Sequence, residues 1–135
     1  MRNSFAALAA FSIASAAATN VHAAARDYRF ELAGNPQKAG NGMSIVSVKL
    51  VHLPDHKAVS GAIVIQTRAD MGPIGMAAMS APVKALPEQS EGIYRFEIPN
   101  GAVWKKPDNW ALTLDAKVQG EPETVHGSIV IKLEP

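Results

Sequence analysis

A chain of 135 residues with 13 Lys and Arg against 12 Asp and Glu has the length of one domain and no electrostatic footprint for nucleic acid, which is held by clustered basic side chains. The absence of Cys excludes disulfides, thiolate metal sites, thiol nucleophiles and lipidated cysteine anchors. Charged residues make up 19% of the chain and form no like-charge run, so a polyelectrolyte tail is excluded as well.

In chain order, residues 1–25 come first: a basic start at Arg2, an Ala-rich apolar stretch from about Phe5 to Ala18, then small residues in which Val21-His22-Ala23 and Ala23-Ala24-Ala25 fit an A-x-A-like cleavage site. This is the layout of a secretory signal peptide. The stretch is too weakly apolar for a good membrane span, which takes about 20 predominantly apolar residues. Cleavage is expected near Ala24–Arg26, followed by work in the periplasm, and removal of Arg2 leaves the mature chain formally neutral.

From Arg26 onward the dominant period is two. Tyr28, Phe30 and Leu32 alternate with charged residues, as do Val46, Val48 and Leu50 within a strand expected over Ser44–His52. Ile63 and Ile65 mark a strand over Ala62–Arg68, and Pro82–Leu86 a shorter one. Tyr94, Phe96 and Ile98 form the next inward set, then Trp110, Leu112, Leu114, Ala116 and Val118, and finally Val125, Ile129, Ile131 and Leu133. Each pattern is that of a half-buried strand. The separators are turn chemistry, as in Gly34-Asn35-Pro36, Gly40-Asn41-Gly42, Leu53-Pro54-Asp55, Pro99-Asn100-Gly101 and Gly120-Glu121-Pro122. About seven short strands with no capped helical period predict an all-β chain, an immunoglobulin-like antiparallel β-sandwich over residues 26–135.

Catalytic signatures are missing: the sequence has no G-x-S-x-G elbow, H-E-x-x-H pair, phosphate loop or dinucleotide fingerprint. No enzyme is expected. The segment Arg68–Pro82 stands out instead, because Met71, Met76 and Met79 are three of the four Met of the mature chain and lie in a stretch rich in Gly, Ala and Pro. Thioethers are soft, neutral ligands that suit Cu(I), and an exported chain without Cys has only Met and His for that purpose. The competing reading is packing, since Met fills irregular gaps.

If consecutive strands alternate in direction, Met43 and Trp104 share one end of the sandwich with this Met loop. An aromatic face there would stabilise a bound cation. His52, His56 and His126 fall at the other end, on the order of 20 Å away. They form a separate candidate site for Cu(II).

The runs RADMGPIGMAAMSAPV, GIYRFE and NWALTLDAKVQGEPETVHGSI resemble the FixH-like/YtkA-like domain of exported bacterial proteins, over about Arg29 to Leu133. The resemblance implies an immunoglobulin-like sandwich on the periplasmic side, near copper efflux systems or the maturation of copper-containing terminal oxidases. It also implies that Met71, Met76 and Met79 match the family's Met-rich loop and Trp110 its buried strand Trp. FixH proteins keep an N-terminal membrane helix, from which this Ala-rich leader departs.

The expected function is a periplasmic protein that holds or delivers Cu(I) through the Met loop. Its partner would be a copper-handling or membrane-complex protein, with no nucleic acid and no membrane span once the leader is cleaved. The alternative is a metal-free module whose Met loop docks on a membrane protein complex. A carrier of a small apolar ligand in a cleft of the sandwich is a third candidate.

Overall fold

The structure is a computed structural model that describes residues 25–88, 90–99 and 108–134. After a short 3-10 turn at Ala25–Asp27, the chain forms β1 (Tyr28–Leu32), β2 (Gln37–Ala39), β3 (Met43–His52), β4 (Lys57–Ala58) and β5 (Ile63–Met71). A second 3-10 turn, Gly72–Ile74, leads to β6 (Met76–Ala81), β7 (Lys84–Ala85), β8 (Ile93–Pro99), β9 (Asp108–Lys117) and β10 (Val125–Leu133). The seven expected strands are all present, and the described residues add the short β2 and β4 and the unexpected β6. The alternation of apolar residues produces these strands because one face of each must leave water while the other stays wet.

Two antiparallel sheets result. One has the order β1-β3-β8-β7, with β2 and β4 also paired to β3; the other has the order β10-β9-β5-β6. In immunoglobulin lettering these are the orders A-B-E-D and G-F-C-C′. The chain is thus the expected all-β sandwich.

The inward positions build one core. Val46, Val48, Leu50, Phe96 and Ile98 from the first sheet face Ala69, Met71, Leu112, Leu114, Ile131 and Leu133 from the second, all essentially without exposure. With no disulfide between the sheets, two tyrosine hydroxyls tie the layers together. Tyr94 on β8 donates to the Val59 carbonyl at 2.6 Å and accepts from the Ala62 amide at 3.0 Å, which fixes the crossover from β4 to β5. Tyr28 on β1 donates to Glu121 Oε1 at 2.8 Å, in the turn between β9 and β10.

Between β1 and β10 the sheets come close enough that Gly127 admits no side chain. A Cβ there would stand 2.3 Å from Cδ2 of Phe30. Among the described residues no helix is long and apolar enough to cross a membrane.

The sequence pattern misplaces one strand face. Ile63 and Ile65, expected to point inward, are 67% and 53% exposed. Val64 packs on the core instead, because β5 bulges against β9 between Val64 and Gln66. A bulge inserts a residue without a partner and turns its side chain out of the alternation.

Candidate functional site

The segment expected as a loop is largely strand. Met71 is the last residue of β5, Gly72–Ile74 make one 3-10 turn, Gly75 reverses the chain at φ 79°, and Met76 begins β6. Met71 shares inward parity with Ala69, so the core buries it completely, at 0% exposure. Its cover comes from the core between the sheets and not from the small residues next to it in the chain.

Met76 is the direct antiparallel partner of Met71. Residues opposed in this way carry Cβ atoms about 4.5–5.5 Å apart on the same face. Met76 is half-buried against the core, whereas Met79 is 40% exposed. The hairpin therefore presents three thioethers graded from interior to surface.

The irregular shape of the hairpin has a polar origin. Pairing runs Ala69↔Ala81 and Asp70↔Ser80, then jumps to Met71↔Met76, which leaves Ala77–Met79 without partners on β5. Arg68 compensates by donating from Nη2 to the Ala77 carbonyl at 2.8 Å and from Nε to Asp70 Oδ2 at 3.0 Å. Asp70 Oδ1 in turn accepts the Gly72 amide at 2.8 Å. The guanidinium and carboxylate thus hold both limbs and the turn in one arrangement.

Of the other expected contributors, Trp104 lies outside the described residues, as does the expected leader apart from Ala25. Met43 does open β3 at the same end, but it takes the parity opposite to buried Ser44 and Val46 and so belongs to the outer face of its sheet. It is not brought to the hairpin.

The aromatic residue described near the hairpin is Trp110, expected as a buried strand residue and not as a member of the Met site. The β5–β9 register ends at Asp70↔Ala111, so Trp110 and Met71 each lie one residue beyond the last paired position. Both are buried and inward. The indole Nε1 is buried and has no hydrogen-bond partner among the described residues. Parity and the family resemblance both marked Trp110 as buried; its nearness to the end of β5 was not readable from one sequence.

The histidines do not assemble. His52 ends β3, where Nδ1 meets Asp55 Oδ1 at 2.9 Å and the ring lies 5.1 Å from that of Tyr28. His56 is an exposed turn residue at φ 55°. His126, on the outer face of the second sheet, pairs across the strands with Asp115. Among the described residues no three His, Asp or Glu come together in a way that could hold a metal ion.

The electrostatic effects at this distant end are structural. Burial, together with the bond to Glu121, raises the Tyr28 phenol from 10.0 to about 12. Burial likewise raises Tyr94. The hydrogen bond from His52 holds the Asp55 carboxyl below its ordinary value.

No curated protein and no solved structure matches the chain. The family model described as YtkA-like matches residues 22–100, more than half of the sequence, from before β1 through the Met hairpin to the end of β8. The chain belongs to the YtkA-like family.

Proposed function

We propose that this is an exported, non-catalytic protein that holds or hands on Cu(I) through the β5–β6 hairpin. The observation that carries the reading is the pairing of Met71 with Met76 at the closed end of the hairpin, with Met79 at its surface. Three neutral sulfur donors suit a soft monovalent cation and offer little to hard ions. The inner sulfur sits where water is excluded, and Trp110 on the adjacent strand is an aromatic member of the same core. The graded burial gives a cation an outer thioether at which to arrive and inner ones at which to stay. Periplasmic work and a copper-handling partner belong to the same proposal, supported by the signal-peptide layout of residues 1–25.

The test is a titration of the reduced protein with Cu(I) against a competing chelator, repeated on Met71→Leu, Met76→Leu, Met79→Leu and the triple variant. Leu keeps volume and apolarity at the buried site, so the fold is retained. Each single change should weaken binding on the order of tenfold, about 1.4 kcal/mol, and the triple variant should lose competition with the chelator. Equal copper retention by wild type and triple variant would overturn the proposal.

One observation favours a second reading. Ile74 in the turn is exposed together with Met79, which gives the hairpin tip an apolar surface suited to docking on a membrane protein complex without metal. Under that reading the triple variant binds copper as weakly as wild type, and replacing Ile74 and Met79 with Ser abolishes partner binding.

A further inference from the structure

The three thioethers of the hairpin are not held by the same means. Met71 is locked in the core, and Met76 is fixed by its pairing with Met71 and by packing on the same core. Met79 has neither support. β6 pairs with β5 at Ala81, Ser80 and Met76, so residues 77–79 form a bow between Met76 and Ser80. Packing does not shape this bow, because Ala77, Ala78 and Met79 are all exposed. A short solvated segment with few apolar contacts belongs to the low-stability end of a structure.

Arg68 closes the bow. Its Nη2 donates to the Ala77 carbonyl at 2.8 Å, which pins one end, and the pairing of Ser80 with Asp70 pins the other. Between these pins lie Ala78 and Met79 alone. The guanidinium is itself aimed by a second bond, from Nε to Asp70 Oδ2 at 3.0 Å. The Asp70 side chain is only 14% exposed, and its other oxygen accepts the Gly72 amide at 2.8 Å. A planar fork that spends one edge on a carbonyl and another on a carboxylate is a geometry an ammonium group cannot reproduce.

Gly72 leaves room for this arrangement. A Cβ there would stand 2.8 Å from Asp70 Oδ1 and 3.8 Å from the Ala77 Cβ, so turn, carboxylate and bow share one small volume. No charged residue occurs between Met71 and Ala81. A guanidinium at the edge of such a segment would repel a bound cation, so its use to the hairpin lies in the bond to Ala77 and not in its charge.

We propose that Arg68 is a positioning residue for Met79: by pinning Ala77 it sets the bow so that the Met79 thioether joins Met71 and Met76 as the third donor to Cu(I). The inference rests on the Cu(I) reading of the hairpin and adds to it the group that decides between two sulfurs and three. Without Arg68 the bow gains a third free residue, and the site becomes a two-sulfur one.

The test pairs Cu(I) competition against a chelator with X-ray absorption of the Cu(I)-loaded protein, after circular dichroism shows each variant folded. Wild type should give three sulfur neighbours. Arg68→Ala should give two and bind about tenfold more weakly, as Met79→Leu does. Arg68→Ala combined with Met79→Leu should bind no more weakly than either alone, because both remove the same donor. Loss of a positive charge would by itself tighten the hold on a cation, so weakening reports position and not charge. In the metal-free protein, amide relaxation should give Ala78 and Met79 order parameters of about 0.85 in wild type and below about 0.6 in Arg68→Ala. Equal affinity and sulfur count in wild type and Arg68→Ala, losses that multiply in the double variant, or a bow as rigid without Arg68 would each overturn the assignment and leave the Cu(I) reading standing. A wild type that yields Cu(I) as readily as the triple Met variant defeats that reading, and the assignment with it.

Discussion

Replacing Gly127 by Ala tests the contact that closes the sandwich between β1 and β10. The glycine has no positive φ that would strain an Ala backbone, so the effect is steric. The added Cβ would stand 2.3 Å from Phe30 Cδ2, whereas carbon atoms pack at about 3.5–4.0 Å. The ring must retreat by more than 1 Å, roughly the shortfall between those separations, and it is buried in the core. Overpacking of this kind costs about 1–3 kcal/mol. Removing the conformational freedom of a strand glycine returns about 0.5–1 kcal/mol. The net loss should be about 1–2 kcal/mol, or a fall in Tm of roughly 5–10 °C for a domain of this size. Urea denaturation should show a lower midpoint with an unchanged slope. In a Phe30→Leu background the same Gly127→Ala change should cost markedly less, because the two positions interact directly. An Ala variant as stable as wild type, or a penalty that survives intact in the Phe30→Leu background, would refute the steric argument.

The remaining expectations concern the ties and the hairpin. Both tyrosines of the chain have raised phenol ionisation, Tyr28 to about 12, so an ultraviolet titration of the folded protein should find neither half-ionised at pH 10, the ordinary value. Because the unfolded chain loses these protons first, stability is fully present below pH 10 and falls as pH rises from there toward about 12. Arg68→Ala removes the bond to the Ala77 carbonyl, and amide exchange across Met76–Ala81 should accelerate while β8 and β9 keep their protection. Met71→Ala should cost about 2–5 kcal/mol by opening a cavity, against less than about 1.5 kcal/mol for Met71→Leu; equal effects in chemical denaturation would deny Met71 its place in the core.

Period-two alternation made most of the fold legible, since Val46, Val48, Leu50, Phe96, Leu112 and Leu114 can satisfy their surroundings only on one face of a strand. It failed where backbone geometry breaks the period. The bulge after Val64 reverses Ile63 and Ile65, and no single residue there announces it. Short β2, β4 and β6 escaped for a related reason: strands of two or three residues, or one whose middle lacks partners, carry too little alternation to stand out. For the site, Met71, Met76 and Met79 were visible as a cluster, but composition could not rank their burial, which depends on what the opposite sheet places over them. Where Trp110 stands relative to the hairpin depends on how β5 and β9 pair, which is a long-range fact.

The graded burial of the three thioethers is also a clock. Thioether sulfur is converted to sulfoxide only where oxidant can reach it. Met79, at 40% exposure, is open in the folded protein, while Met71, at 0%, is not. Sulfoxide at Met79 therefore accumulates with time spent among oxidants, whereas sulfoxide at Met71 records only moments when the sandwich opened. A molecule oxidised at the surface alone has aged in its native state; one oxidised at both positions has been unfolded at least once.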